Sequence, residues 1–135
     1  MRNIIARFLC LVPSLIFLSN AYSWVTNPSK ASSDLGMPYL EGIGRSSQIG
    51  DFSAFFIGIG IFCFIGGIFK NISFLIAAII ILISAAAMRI IAWQLYSASF
   101  ATLYIAVEIV SSIMLLSGII LFQKKEAEIT YNEVD

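Results

Sequence analysis

Four long apolar blocks, separated by short polar breaks, leave this 135-residue chain few folds to choose from. A helix needs roughly 20 mostly apolar residues to cross a bilayer, and in lipid every backbone N–H and C=O must pair within the segment. The blocks fall at about residues 5–25, 52–69, 72–95 and 98–122. They imply an all-α, polytopic membrane protein, with four transmembrane helices forming an antiparallel bundle in one domain over residues 1–122. A polar tail follows at residues 123–135. Charged residues make up 12% of the chain, roughly half the share of a soluble domain, as four lipid-exposed helices require.

The first block begins behind Arg2 and Arg7 and is interrupted by Pro13, Ser19 and Asn20. Two readings stay open. It is a retained helix, with Tyr22 and Trp24 at the membrane–water boundary, or a cleaved signal peptide with a small-x-small site at Ser19-Asn20-Ala21. Residues 26–50 form the one long polar loop, where Asn27-Pro28, Met37-Pro38 and four glycines argue against a continuous helix. Asp51 then stands at the start of the second block, where a carboxylate caps free N–H groups. Within that block Ser53, Gly60 and Gly67 recur at heptad spacing, and Ala54 with Gly58 makes a second small pair. Small residues on one face let another helix approach closely. Asn71 reads as the N-cap of the third block.

Lys/Arg counts set an orientation. With four spans, Arg2, Arg7, Lys70, Lys124 and Lys125 share one side, and Lys30 and Arg45 lie on the other. The positive-inside bias therefore places both termini in the cytoplasm and loop 26–50 outside, in a bacterial inner membrane. The formal net charge is zero, which excludes the electrostatic footprint of a nucleic-acid binder. The chain has no His, and Cys10 and Cys63 sit in separate blocks without a CxxC pair. No metal site, cofactor or catalytic residue is expected, since neither a phosphate-cradling loop nor a nucleophile beside a base appears. The expected partners are the lipid bilayer and either a second copy or another membrane protein.

Charge inside the apolar blocks is the remaining feature. Arg89 lies late in the third block and Glu108 lies inside the fourth. An ionisable residue at membrane depth costs about 2.5–3.5 kcal/mol on insertion scales, so it needs a partner and a purpose. Ala78, Ala85 and Arg89 share one helical face. Ala101, Tyr104, Glu108, Ser111 and Gly118 share another, with Ser112 beside them and Ile109, Ile113 and Leu116 elsewhere. Counting 1.5 Å per residue from the block ends puts Arg89 roughly 9 Å deep and Glu108 roughly 15 Å deep, close enough for a direct or Tyr104-assisted contact. Asp51 and Arg45 are candidates to join from above. The cluster Arg89, Glu108, Asp51, Tyr104, Ser111, Ser112 and Arg45 admits three roles. It is a polar lock between helices, a small cavity that binds a ligand or carries a proton, or an acid–base site on a lipid substrate.

Three strings carry a resemblance. Gly44-Arg45-Ser46-Ser47-Gln48-Ile49-Gly50-Asp51-Phe52-Ser53-Ala54-Phe55-Phe56, Met88-Arg89-Ile90-Ile91 and Val107-Glu108-Ile109-Val110 resemble the motifs of a bacterial family of small four-helix membrane proteins, domain of unknown function 4345. The resemblance covers about Tyr22 to Leu116. A Gly often precedes the arginine in such sequences, where this chain has Met88. The family implies a retained four-helix membrane domain and supplies no activity.

Overall fold

Polar stops set the helix ends, and two of them turn the chain back on itself. In a computed structural model, the backbone is described for residues 1–134 and the side chains for residues 1–123. The elements are α1 (Arg2–Thr26), α2 (Pro28–Asp34), α3 (Gly42–Phe69), α4 (Ile72–Tyr96) and α5 (Thr102–Val134). No strand occurs among the described residues. Lys70 closes α3 in the left-handed region (φ 56°, ψ 33°), and Asn71 opens α4 by accepting hydrogen bonds from Ser73 N (3.1 Å) and Phe74 N (3.4 Å). Two residues thus suffice to reverse the chain, as the Asn71 cap led one to expect. Ser97 ends α4 in the same left-handed conformation. The side chains of the expected tail beyond Gln123 lie outside the described residues.

The polar segment 26–50 departs from expectation in two places. Asn27-Pro28 is a helix start rather than a turn: the Asn27 side chain accepts from Lys30 N at 3.2 Å, and Pro28 sits where a missing N–H costs nothing. More consequentially, α3 begins at Gly42, ten residues before Phe52, and runs through Gly44 and Gly50. Asp51 is therefore inside a helix and caps nothing. Each helical glycine costs about 0.5–1 kcal/mol, and Gln48 helps offset that cost. Its Nε2 donates to Pro38 O and its Oε1 accepts from Leu40 N, both at 3.1 Å, so a buried amide straps residues 38–40 to the new helix turns. Arg45 adds a second strap, donating from Nε to Leu40 O at 2.8 Å, with its guanidinium 4.5 Å from the Tyr39 ring centroid.

The core forms where α1 meets α3 and α5. Ala6, Cys10, Phe17, Ala21 and Trp24 of α1 are buried against Phe56, Ile59 and Cys63 of α3 and Leu115, Ile119 and Phe122 of α5. Two of the heptad's small residues, Gly60 and Gly67, face α1, and the third, Ser53, is buried. A Cβ on Gly60 would stand 2.6 Å from Leu18 Cγ, and one on Gly67 would stand 2.8 Å from Cys10 Cβ. At this crossing Ser14 Oγ donates to Gly60 O at 2.8 Å, a hydrogen bond open only to helices this close. Gly118 meets Cys10 from the other side, its Cβ position 2.7 Å from Cys10 Sγ. The Ala54–Gly58 pair does not pack this way. Ala54 is exposed and nothing lies within 4 Å of a Cβ at Gly58.

Trp24 also differs from expectation. It is 1% exposed and stacked on Phe52 (centroids 4.9 Å apart, 10° between planes), so it belongs to the core, while Tyr22 faces outward. The outer surface is apolar: Ile80, Ile109, Ile113 and Leu116 are exposed beside many other large hydrophobic side chains. The four helices Arg2–Thr26, Gly42–Phe69, Ile72–Tyr96 and Thr102–Gln123 are each long and apolar enough to cross a membrane.

Candidate functional site

The α4–α5 connection places the two intramembrane charges at one level. Because α5 starts at Thr102, Glu108 is six residues from its beginning, and Arg89 is seven residues from the end of α4. Both are therefore roughly 9–10 Å from the helix ends, and the difference in depth expected from the block boundaries disappears. Arg89 Nε donates to Glu108 Oε1 at 2.9 Å. The glutamate side chain is 6% exposed and the arginine side chain 33%, so the carboxylate is interior while the guanidinium reaches toward the bundle's edge. Glu108 gives one oxygen to Arg89. The other, Oε2, is buried with no hydrogen-bond partner among the described residues. A buried polar atom left unpaired costs about 1–3 kcal/mol, so this orphan asks for an explanation.

Tyr104 sits one turn before Glu108 and stacks on the arginine rather than relaying to it. The Arg89 guanidinium carbon lies 5.0 Å from the Tyr104 ring centroid, while the phenol donates to Asp34 O at 2.5 Å. That bond ties the end of α2 to α5. Asp34 also forms a surface ion pair with Lys30, one turn earlier. The cation–π contact is worth about 0.5–1 kcal/mol at an exposed site and more where desolvated. Tyr104 thus helps hold the guanidinium over Glu108.

The other candidates divide. Ser112 is buried, and its hydroxyl donates to Glu108 O at 2.8 Å, so it bonds to the glutamate's backbone and not to its carboxylate. Ser111 is buried but lines a separate cleft with Ile16, Val107 and Met114. Arg45 is committed to Leu40 and Tyr39 and does not join the pair. Asp51 is exposed and lines a cleft of about 310 Å³ with Phe52, Phe55, Ala85 and Arg89. On the far side of Arg89, a second cleft of about 180 Å³ is bounded by Phe17, Asn20, Phe55, Tyr104 and Glu108, among others. Arg89 and Phe55 are common to both clefts.

Sequence reasoning missed Asn20, Phe55 and Gln48. Apart from its place in the first resemblance string, Phe55 gave no sign of a role at the site, being one phenylalanine among eleven. Gln48 carried one: an amide at helical spacing from Asp51 and Phe55, overlooked because the segment read as loop. The buried cysteines Cys10 and Cys63 are free, and no group of three or more His, Cys, Asp or Glu residues able to hold a metal occurs among the described residues.

Fold and site define a class. This is an all-α four-helix protein with the length and apolarity to be integral to a membrane, and it carries a buried ion pair between its last two long helices. No family model, curated protein or solved structure matches the chain.

Proposed function

We propose that the chain is a small, non-enzymatic integral membrane protein of the bacterial inner membrane, with both termini cytoplasmic and α1 retained. It acts as an accessory subunit, alone or as a homo-oligomer, and the Arg89–Glu108 pair fixes the register of α4 against α5. One observation carries this reading: the 2.9 Å charge-assisted bond between an interior carboxylate and a guanidinium of the neighbouring helix. Opposite charges in lipid surroundings pair far more readily than either tolerates isolation, and removing one partner leaves the other uncompensated. Retention of α1 is supported by its burial, since cleavage after Ala21 would remove Ala6, Cys10 and Phe17 from the core. Kinship with domain of unknown function 4345 rests on the three residue strings alone and adds no activity.

A second reading is favoured by the unpartnered Glu108 Oε2 beside the 180 Å³ cleft. That space far exceeds the roughly 10–15 Å³ needed for one water and lies below the roughly 300–1,000 Å³ of drug-sized sites. A small donor or a proton could be handled there. Glu108→Gln separates the two readings. The lock predicts a less stable protein with no pH-dependent flux to lose. A transporter predicts a normally stable variant whose proton-coupled flux in liposomes disappears.

A further inference from the structure

The 310 Å³ cleft between α3 and α4 holds one charge of each sign, and neither is used up. Asp51 is exposed, and no described residue gives its carboxylate a hydrogen bond or ion pair. Arg89 spends Nε on Glu108 and offers no further hydrogen bond to a described residue, leaving its Nη groups to serve another acceptor. The rest of the lining is Phe52, Phe55 and Ala85. Phe52 already has Trp24 stacked on it, and Phe55 meets Phe56 edge to face, so this wall is stiff. The cleft lies toward the bundle end where α4 finishes, roughly 10 Å from Tyr96 at Arg89, within reach of the interfacial layer.

We propose that this cleft binds the headgroup of a zwitterionic phospholipid bearing a primary ammonium, of the phosphatidylethanolamine type. The inference goes beyond the lock reading and needs only that the bundle sits in lipid. Charge complementarity selects the occupant. Arg89 donates to the phosphate oxygens in the fork geometry that guanidinium provides, and the ammonium donates its N–H bonds to Asp51. A purely anionic headgroup meets Asp51 as a like charge. A choline headgroup has no N–H to give it. In this arrangement the ammonium is set toward Asp51 and the phosphate toward Arg89, the two charged residues of the lining, and the acyl chains lie along the apolar outer surface of the bundle.

Asp51 is the residue to change, because it is exposed and holds no partner that folding needs. The full-length protein is purified in detergent, given equal amounts of phosphatidylethanolamine, phosphatidylcholine and phosphatidylglycerol, and the retained lipid is read by native mass spectrometry. Wild type is expected to retain phosphatidylethanolamine over phosphatidylglycerol by about tenfold, the value of one charge-assisted hydrogen bond. Asp51→Asn brings the ratio near one at unchanged melting temperature, Asp51→Glu keeps the preference, and Asp51→Lys turns it toward phosphatidylglycerol. Equal retention of all three lipids by wild type overturns the proposal, as does a preference that survives in Asp51→Asn. Neither result touches the Arg89–Glu108 lock, which this experiment leaves intact.

Discussion

Adding a single methyl group at Gly67 should do more damage than most larger substitutions on the outer surface. The Cβ would lie 2.8 Å from Cys10 Cβ, whereas ordinary contact begins near 3.4 Å, so α1 and α3 must separate by roughly 0.6 Å. The neighbour is the base of a side chain, fixed to its own helix, and cannot swing aside. Cys10 is also pressed by Gly118 of α5, so moving α1 away from α3 pushes it into a second helix. Overpacking of this kind costs about 1–3 kcal/mol. The same displacement lengthens the Ser14–Gly60 hydrogen bond two turns along, at a further cost of up to about 1 kcal/mol. The two terms together come to about 1–4 kcal/mol, and leaving glycine inside a helix offsets up to about 1 kcal/mol, so Gly67→Ala should destabilise by about 1–3 kcal/mol. Gly58→Ala is the matched control: nothing lies within 4 Å of its added Cβ, and leaving glycine inside a helix gains up to about 1 kcal/mol. Unfolding in mixed detergent micelles with increasing sodium dodecyl sulfate, followed by circular dichroism, measures both. Equal stability of the two variants would refute the close α1–α3 crossing.

Two further outcomes follow from burial. Cys10 and Cys63 are 0% exposed, so maleimide labelling of the folded protein in mild detergent should be negligible and should go to two thiols per chain after denaturation. Rapid labelling of the native form would contradict the core described above. Gln48→Ala removes both strap bonds and leaves Pro38 O and Leu40 N without their partner, at a cost of about 1–3 kcal/mol. Amide exchange should accelerate at residues 39–44 and stay slow in α4, and unchanged exchange at Leu40 would show that the strap does not hold.

Much of this architecture was legible because lipid imposes one rule at a time. The apolar runs located four helices, and the Asn71 cap and the heptad Ser53, Gly60 and Gly67 gave, respectively, a helix start and a packing face. The Arg89–Glu108 pair was readable for the same reason, since unpaired charge is expensive there. What escaped was the polar stretch before Asp51. Glycine content argued against helix, but propensity is a weak prior, and the long-range bonds of Gln48 and Arg45 to residues 38–40 override it. Misplacing that start also misassigned Asp51 as a cap. Ala54–Gly58 failed for a different reason: a small pair permits close approach but cannot say whether a helix is there to approach. Ser111 shared the stripe of Glu108 and still lines a different cleft, because which neighbours from other helices meet each part of a helical face is invisible to periodicity.

The ion pair can be tested directly by a double-mutant cycle. Arg89→Met, Glu108→Gln and the double variant are unfolded alongside wild type, and the coupling energy is the departure from additivity. Contacting charged groups couple by about 0.5–3 kcal/mol, and independent sites add to within about 0.3–0.5 kcal/mol. For a 2.9 Å pair with an interior carboxylate, the expected coupling is at least about 1 kcal/mol, with the double variant more stable than the sum of the single losses implies. Single losses that simply add would mean that these two side chains do not hold α4 to α5.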